Sequence, residues 1–567
     1  MNNIRAGWHL DEIANLLELQ GANPHKIRAF RRAARKLTSL SNPIDECELE
    51  SIPGIGKTIA EEVRNFLKNG ETPLLRTLKE KIPEGVLEIL KIPGVDLKTV
   101  SRIYRSGEID SKENLREIIK KREFRKIPGI GAKVEKDIKD FLKQAKEGPP
   151  FLLSLVEKEA EKIKNRIEST SSVEKAELTY QVRRGDKLVE EATFLIKTRN
   201  PEQVKKEIPL IPLIKDFFSL EDQSFMVTLP GGIPARFFLV APEKFVVRLV
   251  QTTGPELHWE NLCDKARESG YELTSEGLNK WGEEVILSKE EDLYEKLGLP
   301  FLPPPMRNRF FEEKNLEKVT GIVKSSDIKG DFHLHTNWSD GGSTIEEMAK
   351  KAEELGYEYL VVTDHSMALE FAGGMSLAAL QEQMEYIDRF NENRGMKYIL
   401  KGIEADIEMD GSLDVPQRFL EKMDWVIASV HRGLNLPRKE MTRRLKKAVS
   451  NPLVQVLGHP TCSLYPEREG INFDIKEVFS QASQSGTAME INGAPDRRDL
   501  NEELIRAALE FDLEFCLGSD AHNDQNMEYI KYALIEAQRA GLTREKIINT
   551  RKIEDLPGIK LTRTGGE

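Results

Sequence analysis

From residue 331 onward, short apolar runs alternate with stretches of helical periodicity. The runs cover 331–335, 359–363, 398–405, 424–430, 454–457, 488–491 and 513–517. Seven strands separated by helices predict a parallel α/β sheet, and a barrel is its natural closure. The first 150 residues read as all-α, with helical sequence broken by Pro-Gly steps. Their opening, MNNIRAGWHLDEIANLL, has the pattern of an amphipathic helix and not of a signal peptide. LPFLPPP, followed by mixed charge, reads as a domain linker.

The polar exceptions in the second half are informative. His333, His335, His365, His431, His459 and His522 each sit at or beside the end of a predicted strand. Asp340 follows the first pair, Asp364 adjoins His365, and Asp520 lies two residues before His522. Aliphatic side chains fill strand ends better, so a core does not need this arrangement. Imidazoles gathered at strand ends with carboxylates predict the lining of one metal pocket. In parallel barrels, sites form at the C-terminal ends of the strands.

A second pattern recurs in the all-α part. It reads Ile52-Pro53-Gly54-Ile55-Gly56-Lys57, then Ile92-Pro93-Gly94-Val95-Asp96, then Ile127-Pro128-Gly129-Ile130-Gly131, with Lys133 close behind. Pro-Gly ends one helix and the second glycine lets the backbone open the next. This is the helix-hairpin-helix pattern. Amides at the start of the second helix can hold a phosphate oxygen, helped by the helix dipole. Gly54, Gly56, Lys57, Gly129, Gly131 and Lys133 are the candidate DNA-binding residues. Such contacts read backbone and not bases. Asp96 replaces the second glycine of the middle copy and brings a negative charge there.

Composition narrows the class. A chain of 567 residues with 32% charged and 39% hydrophobic residues is long enough for several globular domains. No apolar stretch reaches the roughly 18 residues of a membrane span. The four cysteines are scattered and form no Cys-x-x-Cys pair, which favours reduced thiols and a cytoplasmic location. The net charge of −11 argues against a uniformly basic nucleic-acid binder. Residues 1–150 differ, with 29 Lys and Arg against 23 Asp and Glu, which permits phosphate binding there.

NPHKIRAFRRAARKL followed by IPGIGKTIAEEV, together with the hairpin spacing, resembles the N-terminal part of family X DNA polymerases. TYQVRRGDKLVEEATFLIK resembles the palm of that family, and GYELTSEGLNKWGEEV through LYEKLGLPFLPPPMR resembles its end. The resemblance implies three aspartates holding two Mg²⁺ ions. Glu191-Ala192-Thr193 stands where the Asp-x-Asp pair belongs, and Arg236 stands at the third position. Tyr180-Gln181 replaces a Gly-Ser before Arg183-Arg184-Gly185, and Thr253-Gly254-Pro255 stands for Thr-Gly-Ser. The palm therefore reads as degenerate, with nucleotidyl transfer lost. Glu62 occupies the place of the lysine that serves deoxyribose-phosphate lyase chemistry in some members, so that activity is not expected either.

DFHLHTNWSDGG, VVTDHS, KGIEADI, ASVHRG, LGHPT, MEING and LGSDAHN, in that order, resemble the PHP (polymerase and histidinol phosphatase) family. Bacterial family X polymerases carry such a domain at this place. The resemblance implies nine metal-binding and catalytic residues: His333, His335, Asp340, His365, Glu404, His431, His459, Asp520 and His522. Nine exceed one ion's needs, so two or three divalent ions are implied, Mn²⁺ or Zn²⁺ first, with Fe or Mg²⁺ as alternatives. By analogy His333, His335, Glu404 and Asp520 hold one ion, and Glu404 bridges to a second held by His431 and His459. Asp340, His365 and His522 then hold a third. Asp364 is expected to orient a ligand. Arg432 is open between a substrate phosphate and a surface salt bridge, and Asn492 and Arg497 match a segment near the pocket mouth. Cys462-Ser463 replace a Gly-Arg often found after HPT.

The expected domains are a helix-hairpin-helix domain (1–80), a fingers-like one (81–150), a degenerate palm and thumb (151–310), a linker (311–330) and a distorted (β/α)7 PHP barrel (331–567). The expected function is metal-dependent phosphodiester hydrolysis on DNA strand ends, gaps or damaged sites, most simply as a 3′→5′ exonuclease in repair, by a monomer. Two alternatives stay open. One is a small-molecule phosphatase of the histidinol-phosphate type; the other is a non-catalytic DNA-binding scaffold.

Overall fold

The computed structural model describes residues 2–38, 44, 48–52, 54–69, 72–90, 95, 97–121, 124, 127, 135, 138, 150–211, 214–219, 223–308, 319, 321–367, 373–394, 398–465 and 468–556. The chain divides into two compact units, Met1–Leu293 and Tyr294–Glu567. No helix among the described residues is long and apolar enough to cross a membrane.

The first unit opens, as the periodicity predicts, with helices: Asn2–Leu19, Pro24–Thr38, Lys57–Asn69, Pro73–Glu80, Glu84–Leu90, Leu97–Ser106 and Lys112–Lys121. They share a core that includes Leu10, Phe30, Val63, Leu78, Val86 and Ile103. Thr72 starts Pro73–Glu80 by accepting the Leu75 amide on Oγ1 at 3.2 Å. Such a cap contributes about 1 kcal/mol. In the first hairpin Gly54 takes φ +96°, a region L side chains avoid. The amides of Ile59 and Ala60 then bond back to the Gly56 carbonyl at 3.0 Å, and helix Lys57–Asn69 begins. Gly94 and Asp96 of the second hairpin, and Gly129, Gly131 and Lys133 of the third, lie outside the described residues.

The α+β part follows. Its five-stranded sheet runs in the order Lys175–Thr179, Ala192–Lys197, Ile233–Val240, Ser224–Leu229, Lys215–Ser219. Ala192–Lys197 and Ile233–Val240 pair in parallel, and the register sets Thr193 opposite Arg236. Helices Phe245–Thr253 and Glu256–Glu268 lead to a small antiparallel sheet of Glu272–Thr274, Gly277–Lys280 and Glu283–Val285.

The second unit holds seven parallel strands in sequential order: Gly330–Asp331, Tyr359–Val362, Ile399–Asp406, Trp425–Ser429, Val456–Leu457, Ala488–Asn492 and Phe515–Gly518. Tyr359–Val362, Trp425–Ser429, Ala488–Asn492 and Phe515–Gly518 are buried at every position. Burial on both faces explains why these runs read as continuously apolar. The sheet nearly closes: Leu334 bridges Ala521, the His335 amide donates to the Ala521 carbonyl at 2.7 Å, and the Asp520 amide donates to the His333 carbonyl at 2.8 Å. The first predicted run, 331–335, is regular strand only through Asp331, and this isolated pairing carries it onward. Helix Ile345–Glu354 starts on a capping box in which Thr344 and Glu347 each accept the other's amide.

Candidate metal centre

The near-closure of the barrel brings the first and last strand ends together, and with them His333, His335, Asp520 and His522. The third strand supplies Glu404 at the middle of the cluster. Glu404 Oε1 lies 2.9 Å from His459 Nε2 and 3.4 Å from His431 Nε2. Its Oε2 lies 2.9 Å from His365 Nδ1, 3.4 Å from His333 Nε2 and 3.6 Å from His335 Nε2. Asp520 Oδ1 is 3.3 Å from His335 Nε2. Asp340 Oδ2 is 3.3 Å from His522 Nε2 and 3.7 Å from His365 Nε2. All nine residues singled out in the sequence thus converge on one pocket. His459 and Asp520 adopt left-handed backbone, φ 26° and 53°, a conformation that costs about 1–3 kcal/mol per residue and concentrates at functional sites.

Donor atoms of eight of the nine fall into three groups with spacing suited to an ion: His335, Asp340, His365 and His522; His333, His335 and Asp520; and His365, Glu404 and His431; His459 joins the cluster through Glu404. This grouping shares His335 and His365 between neighbours, whereas the family analogy shares Glu404. The donor set fits divalent cations. His333 Nε2 and both ring nitrogens of His335 are buried without a hydrogen-bond partner. Leaving such groups unpaired costs about 1–3 kcal/mol each, and a bound cation would satisfy them.

The carboxylates and imidazoles of the pocket shift one another's protonation. Burial by itself would raise Asp340, Glu404 and Asp520, yet the surrounding imidazoles hold all three below the usual carboxylate range. Burial would lower His333, but Glu490 and Glu404 push it well up. Burial would likewise lower His431, but Glu404 and Asp406 hold it at about 9. His335 goes the other way, pushed down to about 4 by burial and by His365 and His522. An incoming cation must displace the protons that His431 and His333 carry at neutral pH. Mn²⁺ affinity is therefore expected to rise by at least about tenfold per pH unit from neutrality towards pH 9, and calorimetric titrations at about pH 6.5, 7.5 and 8.5 check the slope. A flat profile would mean that no proton leaves.

A second layer fixes these side chains. Asp364 accepts from the Thr336 amide at 2.7 Å, Thr336 Oγ1 at 2.6 Å, Gln383 Nε2 at 2.7 Å and Ser339 Oγ. It thereby anchors the segment that leads to Asp340. Asp406 Oδ1 lies 3.1 Å from the His431 amide and 3.3 Å from its Nδ1. Arg432 donates to Asp406 at 2.9 Å and to Glu408 at 3.0 Å. Asn492 Nδ2 and Arg497 Nε each approach Asp520 Oδ2 at 3.2 Å, on the oxygen that does not face His335. Glu490 was not singled out in the sequence. Its carboxylate meets His333 Nδ1 at 2.6 Å and accepts the His459 amide. The available signal was a carboxylate in the middle of the apolar run of MEING.

The palm-like sheet has different chemistry at the positions of its expected metal ligands. Arg236 Nε donates to Glu191 Oε1 at 2.8 Å, and Thr193 sits opposite Arg236. Tyr180 keeps a left-handed φ of 52° where the polymerase pattern has glycine. Arg183 forks onto both Glu290 oxygens at 2.9 and 2.5 Å. In the N-terminal helices, Glu62 is buried against His9 Nε2 at 2.8 Å, and the His9 ring stacks on Phe66.

Comparison with known proteins agrees with this layout. Family models match as a helix-hairpin-helix domain (1–72), a SAM-like helix-hairpin-helix tandem (86–144), a DNA polymerase beta thumb (248–308) and a PHP domain (331–494). A "probable phosphatase" of Thermoanaerobacter sp. (strain X514) is 32% identical over 254 residues, covering 42% of this chain and 97% of its own length. Another, of Syntrophotalea carbinolica, is 30% identical over 240 residues, covering 40% of this chain and 94% of its own. The "DNA polymerase/3′-5′ exonuclease PolX" of Bacillus subtilis (strain 168) is 31% identical over 553 residues, 96% of this chain and 97% of that one. The chain therefore belongs to the bacterial PolX-type DNA polymerase/3′-5′ exonuclease family, with helix-hairpin-helix regions, a polymerase-beta-type thumb and a C-terminal PHP domain.

Proposed function

We propose that the protein is a metal-dependent phosphodiesterase that removes nucleotides from DNA 3′ ends in repair, and that its polymerase-like half grips DNA without extending it. The convergence of five histidines and three carboxylates in ion-sized groups, with His459 held against Glu404 beside them and buried nitrogens lacking partners, carries this reading. Two or three divalent ions, Mn²⁺ or Zn²⁺ first and Fe or Mg²⁺ as alternatives, would be held by His333, His335, Asp340, His365, Glu404, His431, His459, Asp520 and His522. Such ions activate water and neutralise phosphate oxygens. The chain's own residues do the rest. Arg497 and Asn492 hold Asp520 in place, Asp364 holds the approach to Asp340, and Asp406 holds His431. Arg432 is engaged by Asp406 and Glu408, which favours a bracing role over phosphate capture.

The second reading is a small-molecule phosphatase, favoured by the stand-alone relatives that match the barrel alone. A direct comparison decides between them. With Mn²⁺ present, 3′-labelled DNA is expected to turn over at least about tenfold faster than a small phosphate monoester at equal concentration. The reverse ranking would support the phosphatase.

The grip has its own test. Gly54, Gly56 and Lys57 lie at the start of helix Lys57–Asn69, where a phosphate oxygen would be held; Gly129, Gly131 and Lys133 are assigned the same role by sequence alone. Lys57→Glu is expected to weaken binding of unrelated DNA sequences uniformly and to reduce the salt slope by about 1. Fluorescence anisotropy at several salt concentrations reads both. An unchanged slope would remove Lys57 from the phosphate contacts.

A further inference from the structure

We infer that Glu490 is the positioning carboxylate of the centre, fixing His333 so that Nε2 turns to the pocket and fixing the backbone turn that carries His459. The inference rests on the metal reading of the pocket.

Glu490 lies between Met489 and Ile491 in a strand buried at every position. It is 1% exposed. A carboxylate there needs partners, and it has two from different strand ends. Oε1 lies 2.6 Å from His333 Nδ1, and Oε2 accepts the His459 amide. One side chain on the sixth strand thus braces the ends of the first and the fifth. Held at Nδ1, the His333 ring presents Nε2, which is buried, has no hydrogen-bond partner and lies 3.4 Å from Glu404 Oε2. A carboxylate on the far nitrogen of a ligating histidine sets its tautomer and ring orientation.

The barrel leaves space for this carboxylate. A Cβ at Gly518 would lie 2.3 Å from Glu490 Oε1 and 2.6 Å from His333 Cβ. A Cβ at Gly458 would lie 2.3 Å from Ser429 Oγ and 3.6 Å from Glu490 Oε2. A side chain at position 518 would push the carboxylate or His333 out of place, whereas one at position 458 would clash with Ser429 and Ile427 and only touch the carboxylate. His459 sits at φ 26°, and the bond from its amide to Glu490 holds that turn. Asp406 relates to His431 in the same way but serves a different group of donors.

The test is Mn²⁺ binding to the full-length, metal-stripped protein, read by calorimetry and by mass-spectrometric metal counting after dialysis. Glu490→Gln keeps the side-chain size and is expected to weaken one Mn²⁺ site about 10–100-fold while the remaining sites change little. In a His333→Ala background the same substitution is expected to cost clearly less than it does in the wild type, because the part of its effect that runs through His333 is already gone and only the bond to the His459 amide remains to be lost. Losses that add in the double variant, or an affinity equal to wild type, would overturn the inference. Should the Gln variant misfold, Glu490→Asp, which keeps the charge but shortens the reach to both partners, is expected to give the same selective loss. If Asp also leaves every site unchanged, the inference falls. A wild-type protein that binds no Mn²⁺ would instead remove the metal reading itself.

Discussion

Replacing His333 and His335 together with alanine is expected to lower DNA cleavage by about 1000-fold or more, because residues that act as one catalytic unit fail together. The two rings sit where the groups of donors meet. His335 belongs to two of the three groups, and His333 links Asp520 to Glu404. Removing both leaves Glu404 and Asp520 buried with fewer positive partners, so the pocket loses donors and charge balance together. DNA affinity is expected to stay within about twofold, since most nucleic-acid affinity comes from phosphate contacts made elsewhere in the chain. A gel-based cleavage assay and an anisotropy titration on one preparation measure the two effects. Cleavage that persists in the double variant would place the nuclease outside the barrel.

The second large effect concerns the polymerase-like half. Purified protein is expected to add no deoxynucleotide to a primed template above background, with Mg²⁺ or Mn²⁺. Two-metal transfer needs carboxylates that clamp both ions. Here Thr193 faces Arg236 across paired strands, and Arg236 is ion-paired to Glu191. The single carboxylate is already neutralised, and the guanidinium repels a cation by about 4 kcal/mol per unit charge at 4 Å in a surface-like dielectric. Arg236→Asp alone is expected to restore nothing, because positions 191 and 193 still lack the pair. Template-directed extension by the wild-type protein would contradict this reading.

Much of this was legible in the sequence for definite reasons. A parallel barrel strand is buried on both faces, so Tyr359–Val362 and Trp425–Ser429 stand out as apolar runs without alternation. Histidines at the ends of such runs have no packing reason to be there, and all six reach the pocket. What escaped was carried by contacts between distant residues. Glu490 and His333 are 157 positions apart, and only barrel closure makes them neighbours. The sharing of donors was hidden for the same reason: His365 lies between Asp340 and Glu404 only once the second and third strands pair. Arg432 was ambiguous in sequence because its partners Asp406 and Glu408 precede it by more than 20 residues, on the neighbouring strand and the turn after it.

The most direct single measurement is the release of a 3′-terminal label from DNA by metal-stripped wild-type protein, with Mn²⁺ restored or withheld. The expected result is release of labelled mononucleotide with Mn²⁺ and none in chelator, while a 5′-labelled strand shortens stepwise. Release that continues in chelator, or no release with Mn²⁺ present, would contradict a metal-dependent 3′→5′ exonuclease in the barrel.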